Sequence, residues 1–309
     1  MSQRPTEPVP DPPRPDGDRP TNLVAVGGGQ PAVADGAKLD YGLRWWREVL
    51  YVAAFYAVYS VVRNTQGSAS VSDGRALRNA LRVVDLERAL GIFREEAIQQ
   101  AFLGWRLFVE FWNLFYGTFH FFVTIFALVL LFRRFPERYR RWRNTLAATT
   151  AVALVGFAFY PLMPPRLMPA SFGFVDTLRV FGSPWSFDSG TMSRISNQYA
   201  AMPSLHFAWA LWCTCVLVPS FRSRGAKALI VIYPAFTLFA IVVTANHFVL
   251  DAVGGAMALG IGAAIGFPLA AWTERERFPR SIAPTPVTSG PVTAGPVTSG
   301  PGPAAEQVL

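Results

Sequence analysis

Apolar residues gather into six runs along the chain, at 45–62, 107–132, 146–163, 203–219, 228–245 and 248–272, with short polar stretches between them. A helix needs about 20 apolar residues to cross a hydrocarbon layer roughly 30 Å thick, so the pattern predicts an all-α membrane bundle of about six transmembrane helices. The first run is shortened by Arg47 and Glu48 and leans on Trp45 and Trp46 as interface anchors. A different rhythm runs from Gly74 to Gln100, where Leu77, Leu81 and Val84 recur at helical spacing among Arg, Asp and Glu. That segment predicts one or two amphipathic helices lying on the membrane surface.

The ends of the chain carry no such pattern. Residues 1–40 are rich in Pro, Gly and charge, with too little apolar surface to offset the entropy of ordering, and are expected to be a disordered tail. Residues 276–309 contain the short repeat Pro286-Val-Thr-Ser-Gly290, Pro291-Val-Thr-Ala-Gly295 and Pro296-Val-Thr-Ser-Gly300, a low-complexity tail. The membrane domain is therefore placed at 41–275. The first forty residues lack the apolar core of a cleavable signal peptide, so insertion is expected to rely on the first span.

Composition agrees with a membrane protein: 51% of residues are hydrophobic, 16% are charged and mean hydropathy is +0.28. The net charge of +8 is carried almost wholly by Arg, since Lys38 and Lys227 are the only lysines. These arginines border the apolar runs, where the positive-inside bias accounts for them better than a nucleic-acid partner does. Arg133, Arg134, Arg138, Arg140, Arg141 and Arg143 place the second connection in the cytoplasm; Arg222, Arg224 and Lys227, then Arg275, Arg277 and Arg280, fall on the same side. Both termini then point inward in a multi-pass cell-membrane protein. The 63–106 connection lies outside despite seven arginines, which Asp73, Asp85, Glu87, Glu95 and Glu96 offset only in part. Cys213 and Cys215, two apart on a helix, face different sides and are expected to pack rather than pair.

Threading six spans brings three separated pieces of chemistry to the outer face: Arg166 after the third span, His206 at the start of the fourth, and His247 with Asp251 at the start of the sixth. His247 and Asp251 stand at i and i+4, within side-chain reach on a helix. A carboxylate there can accept the Nδ1–H, fix the tautomer and leave Nε2 as a nucleophile toward phosphorus. His206 is then available as general acid. Arg166 offers a planar fork for phosphate oxygens, and Pro203-Ser204 opens a helix whose first N–H groups, with Ser204, could cradle an oxyanion. Each residue has a plainer reading: His206 as an interfacial cap, Arg166 as a headgroup anchor, Asp251 as a water-facing carboxylate. Ionisable groups in membrane spans are costly enough that their joint placement favours function. No set of His, Cys and carboxylates has metal-ligand spacing, and no cofactor is expected.

These residues resemble the type 2 phosphatidic acid phosphatase superfamily of membrane phosphoesterases. Pro203-Ser204-Leu205-His206 is similar to its second motif, Asn246-His247-Phe-Val-Leu-Asp251 to its third and Arg166 to the arginine of its first. The resemblance implies a phosphohistidine at His247, assistance from Asp251, acid then base catalysis by His206, and phosphate binding by Arg166, Ser204 and Asn246. Two cations of the superfamily pattern are missing, because Phe159 and Ile241 stand where a Lys and an Arg are usual. In this the chain is similar to the inositol phosphorylceramide synthase, or inositolphosphotransferase, branch, as it is through Leu90-Gly-Ile-Phe93, Glu96, Gln99, Asn113, Tyr116 and His120. Asn113, Tyr116 and His120 share one face of the second span and serve either as interhelical hydrogen-bonding groups or, with Arg194, as a headgroup site. Arg63, Arg179, Arg194 and Tyr199 are further candidates to replace the missing cations.

The reading is an integral membrane lipid phosphotransferase of inositolphosphotransferase type. Its alternative within the same chemistry is a phosphatase acting on phosphatidate or polyprenyl phosphates. A non-catalytic transporter, with His and Asp as a proton relay, is the reading from another class.

Overall fold

The computed structural model describes residues 43–66, 72–181 and 198–277. Within them the chain is helical, and Leu162 and Ala200 form a single parallel bridge. The helices, in order, are α1 (Trp45–Gln66), α2 (Asp73–Ala89), α3 (Glu95–Phe102), α4 (Arg106–Arg134), α5 (Pro136–Phe159), the short α6 (Thr177–Val180), α7 (Leu205–Leu217), α8 (Arg224–Val243) and α9 (Val249–Arg277). Each of the six predicted spans overlaps a helix, an arrangement compatible with the expected all-α membrane bundle.

Only three meet the length and apolarity of a span among the described residues: α4, α8 and Val249–Thr273 of α9. α5 begins ten residues before the predicted run, because Pro136 sits at its first position, where a missing N–H costs nothing. Its early arginines find partners: Arg143 Nη1 reaches both Glu48 oxygens, at 2.8 and 2.7 Å, and Arg138 donates to Ser220. Glu48, which shortens the first apolar run, is thus the tie between α1 and α5. α7 is a short apolar helix of 13 residues. The outward faces of α4, α8 and α9 expose Phe111, Phe122, Ile125, Leu229 and Met257 among others, an apolar girdle that suits lipid rather than water.

The tightest seam lies between α5 and α9. A Cβ at Gly262 would meet the backbone of Thr149, and one at Gly266 the backbone of Thr145, so the two helices touch main chain to main chain. Their spacing at i and i+4 is the small-residue motif expected of close membrane helices.

The amphipathic segment forms two helices, broken where Gly91 takes φ 71°. Its buried stripe is Ala76, Ala80, Val83, Val84 and Glu87, with Asn79 beside it, whereas Leu81 faces outward. Of the predicted stripe, Val84 is fully buried and Leu77 packs against the same core, so only Leu81 departs from it. α2 packs into a core with Leu162, Met163, Met168, Tyr199, Ala201 and Phe248. Asn79 donates to the Pro161 carbonyl at 2.8 Å, so α2 also grips the chain leaving α5.

Candidate active site

α8 ends in a hydrogen-bonded turn that aims the next residues inward. Ala245 N–H donates to Val242 O and Asn246 N–H to Ile241 O, with Ala245 at φ 53°. This is the Schellman arrangement, with Ala at the left-handed position that glycine usually takes. The left-handed region costs a residue with a Cβ about 1–2 kcal/mol. Non-glycine residues held there cluster at functional sites.

Two residues on, His247 lies 4% exposed just ahead of α9. Its Nδ1 is 2.9 Å from the Ala201 carbonyl and 3.3 Å from Asp251 Oδ2. Both neighbours accept, so Nδ1 carries the hydrogen and Nε2 presents its lone pair. Asp251 is fully buried in the first turn of α9, where Oδ2 also accepts the Phe248 N–H at 3.0 Å. The pair is thus a helix-capping arrangement rather than two residues of a regular helix, and the stronger orienting contact comes from a backbone carbonyl.

His206, in the first turn of α7, has no hydrogen-bond partner among the described residues and is held by rings. Tyr116 stacks on it at 4.2 Å between centroids, His120 stands edge-on at 4.3 Å and His247 lies 5.7 Å away. All three histidines of the chain therefore stand in one row. Packing fixes the ring while neither ring nitrogen is engaged in a hydrogen bond among the described residues.

Arg166 is anchored rather than loose. Nε donates to Asn246 Oδ1 at 3.0 Å, Nη1 to Asp176 Oδ2 at 3.0 Å, and its backbone N–H to the Ala245 carbonyl at 2.8 Å. Asn246 in turn donates from Nδ2 to Thr244 Oγ1 at 2.8 Å. Ser204 is fully buried as the N-cap of α7: Oγ accepts the Phe207 N–H at 3.5 Å, and its own N–H donates to the Asp251 carbonyl at 2.9 Å. The approach of Pro203-Ser204 to α9 requires Gly255, where a Cβ would run into the Ser204 carbonyl.

One nucleophile-ready imidazole, a second imidazole beside it and an oriented guanidinium suit phosphoryl transfer. A family model described as the PAP2 superfamily matches residues 81–265, more than half of the chain. The chain belongs to the PAP2 superfamily. It is accordingly an enzyme of phosphatase or phosphotransferase type that acts on lipid phosphates. No curated protein and no solved structure matches it in the same comparisons.

The other sequence candidates of this PAP2 chain fall into two groups. Tyr116 and His120 frame His206, and His120 Nδ1 lies 3.0 Å from the Tyr116 carbonyl. Asn113 instead turns both amide atoms to Thr177, giving to its carbonyl at 3.1 Å and receiving from its hydroxyl at 2.9 Å. It pins α4 to α6. Gln99, fully buried, likewise makes two bonds to the Val175 backbone. Tyr199 donates to Asp73 at 2.8 Å, and burial followed by that carboxylate pushes its phenol up to about 12. Arg179 is exposed on α6. Arg194 and the Arg63 side chain lie outside the described residues. Where cations are missing, Ile241 is fully buried and Phe159 is exposed, its carbonyl taking a 3.0 Å bond from Arg75 of α2.

Sequence reasoning missed Asp176, the Ala201 carbonyl and the pair Glu87 and Glu95, both fully buried. A backbone carbonyl leaves no sequence signal. Glu87 did leave one: it continues the Ala76, Ala80, Val83, Val84 stripe at helical spacing.

Proposed function

We propose that the protein is a lipid phosphotransferase of inositolphosphotransferase type, working through a phosphohistidine at His247. The observation that carries the reading is the pair of acceptors at His247 Nδ1, which leaves Nε2 as the unprotonated nitrogen. Nε2 attacks phosphorus and the bond from phosphorus to the leaving oxygen breaks, while His206 gives that oxygen a proton. In the second half His206 takes a proton from the acceptor hydroxyl, whose oxygen attacks phosphorus and breaks the P–N bond. Arg166 holds the non-bridging oxygens throughout, with Asn246 and Asp176 keeping its fork in register. Ser204 and the start of α7 complete the phosphate cradle. The contacts of Tyr116 and His120 with His206 support a headgroup role for these two residues. Residues 41–275 form the catalytic membrane domain between two low-complexity tails. Both termini are cytoplasmic, and the site opens on the outer face of the cell membrane.

Purified enzyme incubated with radiophosphorus-labelled phosphatidylinositol or phosphatidate, then quenched in alkali, should carry acid-labile, base-stable label. His247→Gln should carry none and lose turnover by about 10⁴-fold or more, the scale seen when a nucleophile is deleted. Full activity in His247→Gln would defeat the mechanism. Addition of ceramide or diacylglycerol should divert label into a new lipid; release of free phosphate alone would move the reading to a phosphatase. A reporter fused after Arg143 should sit in the cytoplasm, and an external signal would reverse the topology.

A further inference from the structure

The first turn of α9 carries the machinery, since Asp251 lies within it and His247 just before it. The first N–H groups of a helix have no partner within it and must find one elsewhere. Here three carboxylates take them. Phe248 N–H goes to Asp251 at 3.0 Å, Val249 N–H to Glu95 Oε1 at 3.0 Å and Leu250 N–H to Glu87 Oε1 at 2.7 Å. Glu87 comes from α2 and Glu95 from α3, and both are fully buried. Glu87 reaches across 163 residues of chain and Glu95 across 154 to the same turn.

Their charge does not balance if every carboxyl is ionised. The helix N-terminus supplies roughly half a positive charge, and the charged groups that act on Glu87 are Glu95 from α3 and Asp251 from α9, both acidic. Glu87 Oε2 finds no donor although it is buried. A buried oxygen without a donor is satisfied once it carries the hydrogen itself and gives it to the neighbouring carboxylate. Burial, then the hydrogen bond with Glu95, pushes Glu87 up to about 9. Two carboxyls that hydrogen-bond to each other and accept from adjacent N–H groups of one turn hold one proton between them.

We propose that Glu87 and Glu95 are positioning residues: a carboxyl pair sharing one proton, which clamps the turn bearing Asp251 and so sets the aim of His247. This rests on the reading of His247 as nucleophile. The imidazole is thus held both by the Ala201 carbonyl ahead of α7 and by a turn gripped by α2 and α3. It also gives the amphipathic pair a task beyond lying at the membrane surface, because movement of α2 against α3 would move the nucleophile.

The test uses the full-length enzyme in detergent, with whichever of labelled phosphatidylinositol or phosphatidate the wild type turns over. Glu87→Ala should lower kcat on the order of 100-fold with KM little changed, as expected when a reacting group is misplaced by about 1 Å. Glu87→Gln keeps an acceptor for Leu250 and a donor for Glu95, so it should restore kcat to within a few-fold of wild type. The pH profile separates positioning from mere support. Wild type should lose activity as pH rises through about 9, where the pair gives up its proton, and Glu87→Gln should lack that alkaline limb. A folded Glu87→Ala enzyme with wild-type kcat, or Glu87→Gln retaining the alkaline limb, overturns the clamp. If Glu87→Ala does not fold, the Glu87→Gln profile decides alone. His247→Gln run in parallel separates the two failures: an active His247→Gln defeats the nucleophile reading itself, whereas an inactive one with unchanged Glu87 variants defeats only the clamp.

Discussion

The two ends of α9 are held by opposite means. Toward its C-terminal half, Gly262 and Gly266 lie against the backbone of α5, and contact there is a matter of shape. At its first turn, the helix is held by carboxylates from three elements, and contact is a matter of hydrogen bonds. Packing by shape tolerates no added atom but asks nothing of protonation. Hydrogen-bonded clamping tolerates isosteric change but depends on where protons sit. Substitutions at the seam should therefore act chiefly on stability, and substitutions at the first turn chiefly on activity.

Breaking the seam should have the larger effect on folding. Gly266→Val places atoms where the Thr145 backbone already lies, and a helix backbone cannot yield as a side chain can. The expected cost is about 3 kcal/mol or more, at the upper end of overpacking. It should be read as a lowered midpoint in thermal unfolding of the detergent-solubilised protein. Gly260, two residues before the seam, has nothing within 4 Å of a built Cβ. Gly260→Ala should therefore stabilise by about 0.5–1 kcal/mol, the ordinary helix preference. Equal responses at the two glycines would show that the helices are not in backbone contact.

The same contrast governs what the sequence made legible. Spans α4, α8 and α9 and the pairing of His247 with Asp251 follow from local spacing. The clamp does not, because Glu87 and Glu95 stand on polar segments and were counted among surface charges that offset arginines. Their burial depends on a contact with α9 more than 150 residues away. Asp176 is hidden for the same kind of reason, since its partner is set by how the chain folds back after Arg166. In α2 only Leu81 leaves the expected stripe; the small residues Ala76 and Ala80, which weigh little in any apolar count, are fully buried and let the helix approach the core.

At the site end, the next largest effect should come from Arg166→Lys. The guanidinium uses Nε for Asn246 and Nη1 for Asp176, a two-point anchoring that a single ammonium cannot reproduce while also facing a phosphate. Turnover per substrate bound should fall on the order of 100-fold, about 2.7 kcal/mol of transition-state stabilisation. The unfolding midpoint should move little, since the pair is partly exposed, at 17% and 20% of the two side chains. A collapse in stability instead would make Arg166 a structural tie and leave the phosphate without an identified cation.

The smallest and most selective change is Thr244→Val. Thr244 is fully buried; its hydroxyl donates to the Ala240 carbonyl at 2.6 Å and accepts from Asn246 Nδ2 at 2.8 Å. Valine keeps the shape and removes that acceptor. Asn246 Nδ2 then has the Thr244 carbonyl at 3.4 Å, a weaker partner that limits the loss to about 1 kcal/mol in unfolding. Asn246 Oδ1 still faces Arg166, so activity should fall only a few-fold. If Thr244→Val instead costs as much activity as Arg166→Lys, the anchoring of the guanidinium runs through the end of α8, and the left-handed turn at Ala245 becomes part of the phosphate site rather than its support.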